Sequence, residues 1–398
     1  MFKETDKKFT FETELLRSGA YTQYPVTNPE SMPIYMTTAF NVEDLDDLEQ
    51  RYTEKGFCYN RNRNANRAAL AELLTQVENG DDAIVCSSGM AAIYTAVIAI
   101  VKAGDHILAD QTLYGETIEI FTEIMSSYGV ETTFADFTDL EQVKQNIRPN
   151  TKLFYTETIA NPMITVVDID ELSNIAHKNN AYLVVDNTFM TAVGFKPLEH
   201  NADLVVISLT KFANGHSDAV CGGIIGKSKL IAKAYKLQVL TGCTADPFTS
   251  WLVARGIRTM YLRVSKQMEN ALKLAEALEK SPYVSKVNYP GLKSNRQYSL
   301  ACRLFKNGFG GMMSIILPED RIKMNAFMRK LNLAHYAMTL GGYRTTLSYP
   351  VLSSHYDMPE KDRLKIGITN GMLRISTGIE NSNDLVEDFL QALTVYTE

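Results

Sequence analysis

The sequence predicts an α/β protein: a large, mostly parallel sheet covered by helices on both faces, followed by a smaller α+β domain. Short, nearly continuous apolar runs alternate with helical stretches over much of the chain, the pattern of strands buried on both faces. The composition changes after about residue 256, where a long amphipathic segment leads into fewer apolar runs. The chain's 398 residues, 45% hydrophobic and 22% charged, suffice for two or three domains and are too apolar for disorder.

Residues 1–62 hold turn-rich pieces such as Tyr24-Pro25-Val26-Thr27-Asn28-Pro29, and the polar stretch Tyr59-Asn60-Arg61-Asn62-Arg63-Asn64 overlaps their end. They read as an extended arm with little core of its own, lying on another body such as a neighbouring subunit. Ile34-Tyr35-Met36 and Ala39-Phe40 are too apolar to be left in water. Residues 63–255 form the main domain. Its expected strands are Ala83 to Cys86, His106 to Ala109, Leu153 to Thr156, Tyr182 to Asp186 and Leu204 to Ser208, all short apolar runs. Helical stretches lie between them, at Ala91 to Val101, Ile118 to Tyr128 and Ile169 to Lys178. Sheets of this kind place ligands at the carboxyl ends of their strands. Residues 256–398 form the smaller domain, with a helix over Arg263 to Lys280, stopped at Ser281-Pro282, and strands at Met312 to Leu317 and Met372 to Ser376.

Forty Lys plus Arg against 46 Asp plus Glu give a net charge of −6, which argues against a protein that wraps nucleic acid. The opening Met-Phe-Lys-Glu-Thr-Asp-Lys-Lys lacks the grammar of a secretory signal. Ala91 to Val101, the most apolar stretch, is about half the ~20 residues needed to span a bilayer. Cys58, Cys86, Cys221, Cys243 and Cys302 show no paired spacing, which fits a reducing compartment. A cytoplasmic protein without membrane contact is expected. No metal is expected either, because the six histidines show no HExxH spacing. Gly308-Phe309-Gly310-Gly311 precedes a strand instead of following one, so it does not make a dinucleotide turn.

Three strand ends carry candidate chemistry. Ser87-Ser88-Gly89-Met90 lies between the first strand and its helix, where open N–H groups and the helix dipole suit a phosphate or an ordinary cap. Asp186 ends an apolar strand, where it either caps a turn or meets a cation or proton donor. Lys211 follows Ser208 and Thr210 at the end of the next strand, 25 residues beyond Asp186. Such a lysine is either solvated or able to lose its proton and form an imine. Together the three match what pyridoxal phosphate requires. Asp186 keeps the ring nitrogen protonated and Lys211 holds the aldehyde. The helix start, with Ser208 and Thr210, takes the phosphate. Tyr114, after the strand His106 to Ala109, offers an aromatic face.

On these residues the chain resembles the Cys/Met-metabolism family of PLP enzymes, which includes cystathionine γ-synthase, cystathionine β- and γ-lyases, methionine γ-lyase and O-acetylhomoserine sulfhydrylase. The matching stretches are Tyr59-x-Arg61, Ser87-Ser-Gly-Met-Ala-Ala-Ile93, Tyr114-Gly115, Asn161-Pro162, Val185-Asp-Asn-Thr188, Ser208-x-Thr-Lys211, Asp246-Pro-Phe-Thr249, Arg255-Gly256 and Arg374-Ile-Ser-x-Gly378. The resemblance implies an aspartate-aminotransferase-like fold (PLP fold type I), PLP on Lys211, and a homotetramer of intimate dimers. In such dimers Tyr59 and Arg61 reach the phosphate of the neighbouring active site. Ser88, Gly89, Met90, Ser208 and Thr210 would hold the phosphate from their own subunit, and Tyr114 would stack on the ring. Arg374 would grip the substrate α-carboxylate, assisted by Asn161 and Thr339. Lys211 would move protons at Cα and Cβ, while Tyr114, its pKa perturbed by cationic surroundings, would protonate the leaving group.

The resemblance also implies the reaction class: cleavage of the C–S or another Cγ–heteroatom bond of a sulfur-containing or γ-substituted amino acid, releasing 2-oxoacid, ammonia and thiol. γ-Replacement by a transferase and cystathionine β-lysis use the same residues. The chain departs from its relatives in several places. Asn64-Ala65-Asn66 stands where many read Asn-Pro-Thr, and Glu116 follows Tyr114-Gly115 where methionine γ-lyases carry Cys. In Thr339-Leu-Gly-Gly-Tyr-Arg344-Thr-Thr-Leu-Ser-Tyr-Pro350 an acidic position gives way to Arg344 or Thr345, and Tyr349 replaces a His. Glu116 is either a solvated helix-start acid or an acceptor for a cationic substrate end. With Arg344, it would favour a polar or charged distal group.

Overall fold

The computed structural model describes residues 10, 29–54, 56–354, 356 and 358–397. The turn-rich piece from Tyr24 to Asn28 and the opening residues lie outside that set. Two sheets organise the chain. The larger contains β1 (Asp82–Cys86), β2 (His106–Asp110), β3 (Glu131–Ala135), β4 (Thr151–Glu157), β5 (Tyr182–Asp186), β6 (Leu204–Ser208) and β7 (Gly222–Gly226), in the spatial order β1-β7-β6-β5-β4-β2-β3. All neighbours run parallel except β7, which is antiparallel to both β1 and β6. The mostly parallel sheet expected from the sequence is therefore present.

The apolar runs have a simple cause. Val85, Leu183, Val185, Val205 and Ile207 pack into one hydrophobic cluster, whereas Ile84, Cys86, Val184, Leu204 and Val206 pack into another. Successive side chains point to opposite faces, and helices cover both, so no position on these strands favours a polar residue. Two strands of this sheet escaped the sequence reading. β3 is an edge strand with partly exposed side chains, and the three glycines of β7 resemble a loop. The helix expected at Ala91 starts at Gly89, because the Ser88 hydroxyl accepts the Ala91 N–H at 3.0 Å and sets the cap. The helix expected over Ile118 to Tyr128 starts at Gly115 and widens into a π-helical stretch over Ile120–Met125.

The smaller sheet contains β8 (Lys286–Asn288), β9 (Met312–Ile316), β10 (His335–Tyr336), β11 (Thr346–Ser348) and β12 (Met372–Ser376), in the order β10-β11-β12-β9-β8. One long helix, Met260–Glu279, joins the two bodies. Met260, Val264 and Met268 pack in the core of the large sheet, while Ala271, Leu274, Ala275 and Leu278 pack in that of the small one. The helix Leu45–Thr53, in the predicted arm, buries none of its residues, and Met36 is 68% exposed. No helix of the described residues is long and apolar enough to cross a membrane, and the five cysteines are free.

One buried acid lies away from any site. Glu78 closes the helix Ala65–Glu78 at 1% exposure, and neither carboxyl oxygen has a hydrogen-bond partner among the described residues. Burial raises its pKa from 4.5 to about 8. A raised carboxyl favours the fold fully below its unfolded pKa, and that contribution is lost as pH rises through the folded value. Glu78→Gln removes this loss. Its stability relative to wild type should therefore rise between about pH 5 and pH 8, by at most about 1.4 kcal/mol per pH unit. Melting curves of both proteins across that range check it, and a difference that is flat with pH contradicts it.

Candidate active site

The carboxyl ends of β1, β4, β5 and β6 open into one cavity of about 380 Å³. At the end of β1, Gly89 starts its helix against Ser208: a Cβ there would lie 2.8 Å from the Ser208 Cβ and Oγ. Only glycine lets the helix start approach so closely. The first N–H groups of a helix have no partner within it, and Gly89 and Met90, at those positions, both line the cavity. β5 ends at Asp186, whose Oδ1 accepts the Thr188 N–H at 2.9 Å. The Thr188 hydroxyl oxygen in turn accepts the Ser208 N–H at 2.8 Å, tying β5 to β6.

β6 runs into the turn that carries Lys211. The Lys211 N–H donates to the Ser208 carbonyl at 3.2 Å, and the Thr210 hydroxyl bonds both the N–H and the carbonyl of Cys221. Behind the turn, the Arg263 guanidinium donates to the carbonyls of Phe212, Ala213 and Gly256 at 2.8–3.0 Å. From the small sheet, β12 brings in Arg374, 7% exposed, which donates to Asn161 Oδ1 at 2.9 Å. Tyr114 precedes the short helix Gly115–Glu119. Its N–H donates to Glu157 Oε1 and its hydroxyl to Glu116 Oε1, both at 2.7 Å.

Lys211, Tyr114, Asp186, Ser88, Gly89, Met90, Ser208, Thr210, Arg374, Asn161, Thr339 and Glu116 all line this cavity. Tyr59 and Arg61 do not: the Arg61 guanidinium lies 5.7 Å over the Tyr59 ring and donates to the Val239 carbonyl at 2.6 Å. Arg344, expected at the distal end of the substrate, stands apart from this lining. Its guanidinium stacks 5.0 Å over the neighbouring Tyr343 ring, and it is not among the residues lining the cavity. Thr345 turns to Glu380, and the Tyr349 hydroxyl donates to the Asn370 carbonyl. Glu116 is likewise more than a solvated acid, since it holds the Tyr114 hydroxyl. The sequence reading missed Glu157, a buried acid on the cavity wall at the end of β4. The same logic that found Asp186, a carboxylate ending an apolar strand, applies to it.

Burial lowers the Lys211 pKa, and Arg374 lowers it further. Burial raises Asp186 to about 6 against its bonds to Thr188. Burial brings Arg374 down to about 10, so it stays charged at neutral pH. Tyr114 is pushed up, first by burial and then by Glu116. The cationic influence expected there from the sequence is present in Arg374 but outweighed. An amine whose charged form burial disfavours, a buried carboxyl short of a cation, and open amides beside Ser208 and Thr210 are the donor set that pyridoxal phosphate fits. Among the described residues no cluster is suited to a metal ion.

Residues 12–394 match the model of the Cys/Met metabolism PLP-dependent enzymes. The chain is 38% identical over 380 residues to the cystathionine gamma-lyase of Bacillus subtilis, covering 95% of this chain and 98% of that one. It is 34% identical over 392 residues to the L-methionine gamma-lyase of Fusobacterium nucleatum subsp. polymorphum, covering 97% and 98%. The crystal structure of cystathionine gamma synthase from Xanthomonas oryzae pv. oryzae, in complex with aminoacrylate and cysteine, superposes with a TM-score of 0.88. That match has 32% identity and covers 92% of this chain and 93% of the other. With the sheet order, the lysine turn and a match of this extent, the chain belongs to the Cys/Met metabolism PLP-dependent enzyme family.

Proposed function

We propose that this enzyme cleaves the C–S, or another Cγ–heteroatom, bond of a γ-substituted amino acid, releasing 2-oxoacid, ammonia and thiol, with PLP carried on Lys211. The observation that carries this reading is the convergence of Lys211, Asp186, Tyr114 and Arg374 on one cavity. When bound, the cofactor supplies an electron sink for charge developing at Cα. The chain's own residues do the rest. The helix start at Ser88, Gly89 and Met90, with Ser208 and Thr210, takes the phosphate, and Asp186 pairs with the ring nitrogen. Arg374 grips the substrate carboxylate with its planar fork, and Asn161 and Thr339 stand beside it. Lys211, whose amine gives up its proton readily in this setting, moves protons at Cα and Cβ. The raised Tyr114 hydroxyl keeps its proton for the leaving group.

Glu116 uses one oxygen for Tyr114; the other has no hydrogen bond among the described residues. It is placed to receive a cationic distal end, such as the second amino group of cystathionine. In the assembly we propose, a homotetramer working in the cytoplasm, residues 1–62 form an arm beside a main domain (63–255) and a C-terminal domain (256–398). Tyr59 and Arg61 then complete the phosphate site of the neighbouring subunit. The 42% exposure of Tyr59 and the exposed Met36 suit such a contact. The same residues serve γ-replacement when an external thiol takes the leaving group's place.

Three outcomes are expected. Borohydride should fix the cofactor on Lys211, and Lys211→Ala should lose both the labelled peptide and turnover; label elsewhere in the chain contradicts the scheme. Arg374→Lys should raise KM for amino-acid substrates by about ten- to a hundredfold, the worth of a charge-assisted pair, with a smaller change in kcat. In a panel of methionine, cystathionine, homocysteine, cysteine and O-acetylhomoserine, cystathionine should lead in wild type and lose most in Glu116→Cys. Methionine leading in both proteins rejects the distal role of Glu116. Product analysis with added thiol separates elimination from replacement.

A further inference from the structure

Two carboxyl groups end neighbouring strands on the cavity wall. Glu157 ends β4, Asp186 ends β5, and the two are cross-strand partners. The scheme above gives Asp186 a task and leaves Glu157 without one, although Glu157 is 8% exposed and lines the same cavity. Its Oε1 accepts the Tyr114 N–H at 2.7 Å, and the Asn161 N–H lies beside the same carboxyl. That bond fixes the residue whose ring and hydroxyl face the reaction. Asn161, whose backbone lies beside that carboxyl, is the residue whose amide oxygen holds Arg374. A single side chain thus joins the proton donor, the carboxylate grip and the strand edge beside Asp186.

We propose that Glu157 is a positioning residue that works as a neutral carboxylic acid, suspending Tyr114 and Asn161 from the end of β4 and leaving the negative charge of the strand edge to Asp186. This rests on the reading of Asp186 as partner of the ring nitrogen. The groups that face Glu157 are Asp186 from β5, Asp110 from β2, Tyr155 from its own strand and Tyr114 from the adjoining helix. None of these is a cation. Two carboxylates in one enclosed space resist joint ionisation, so one proton stays. Asp186 has the Thr188 hydroxyl and N–H to stabilise its anion, whereas burial and both neighbouring acids push Glu157 well above the ordinary range. The charge therefore settles on Asp186.

The experiment compares holoenzyme carrying Glu157→Gln with Glu157→Ala. Glutamine imitates the protonated acid in shape and keeps an oxygen for both backbone N–H groups; alanine orphans them. Cofactor dissociation constants of the two variants should differ by about tenfold or more, with alanine the weaker, as expected for lost buried partners. Equal loss in both overturns the proposal. A second reading needs only the glutamine variant. The pH midpoint of the bound cofactor's visible absorbance should match wild type if Glu157 is neutral. Removing an anion would pull that midpoint down by about one pH unit or more, which also overturns it. Failure of borohydride to fix the cofactor on Lys211 in wild type would instead reject the underlying catalytic scheme, so the two failures are distinguishable.

Discussion

Asp186 and Lys211 share one enclosed space because β5 and β6 lie side by side, run parallel and both empty into it. Burial raises the Asp186 carboxyl to about 6 and lowers the Lys211 amine, so each group's charged form is disfavoured where it stands. Arg374, brought in from the other sheet, deepens the effect on the lysine and keeps its own charge. In the proposed scheme each of these tensions is relieved by a different part of pyridoxal phosphate or the substrate: that of Asp186 by the ring nitrogen, that of Lys211 by the aldehyde, that of Arg374 by the substrate carboxylate. The rest of the fold brings these groups to one cavity.

The Lys211 turn is held from behind as firmly as from the front. Arg263, 6% exposed, places its guanidinium among the carbonyls of Phe212, Ala213 and Gly256. It sits on the helix Met260–Glu279, whose first half packs on the large sheet and whose second half packs on the small one. One rigid element therefore touches both the lysine turn and the core that backs β12, which carries Arg374. Precision at the cavity comes from such supports as much as from the residues that face it.

Lys211 and Asp186 were legible because each ends a run of apolar residues, where a charge needs a reason to be. The parallel sheet was legible for the same cause, since strands covered on two faces tolerate few polar residues. Glu157 was not, because the apolar run from Leu153 was read as ending at Thr156, one residue short of it; its depth follows from pairing with β5, a contact between distant segments. β7 was hidden by its glycines, and β10 and β11 by their brevity. Arg374 and Asn161 were reached only through the family resemblance, since nothing in Met372–Ser376 alone marks a ligand grip. Arg344 shows how little sequence proximity says about the lining. It lies close in sequence to Thr339, which does line the cavity, but Glu380 draws the backbone and hydroxyl of Thr345 its own way.

Lys211 and Arg374 reach the cavity from different sheets. In the proposed scheme the imine lysine, the partner of the ring nitrogen and the phosphate cradle stand on the first; the arginine for the substrate carboxylate, and the loop bearing Thr339, stand on the second. Such a partition lets evolution revise the menu without rewriting the kitchen. Changes along the Thr339 loop would then alter one wall of the cavity without touching the lysine turn.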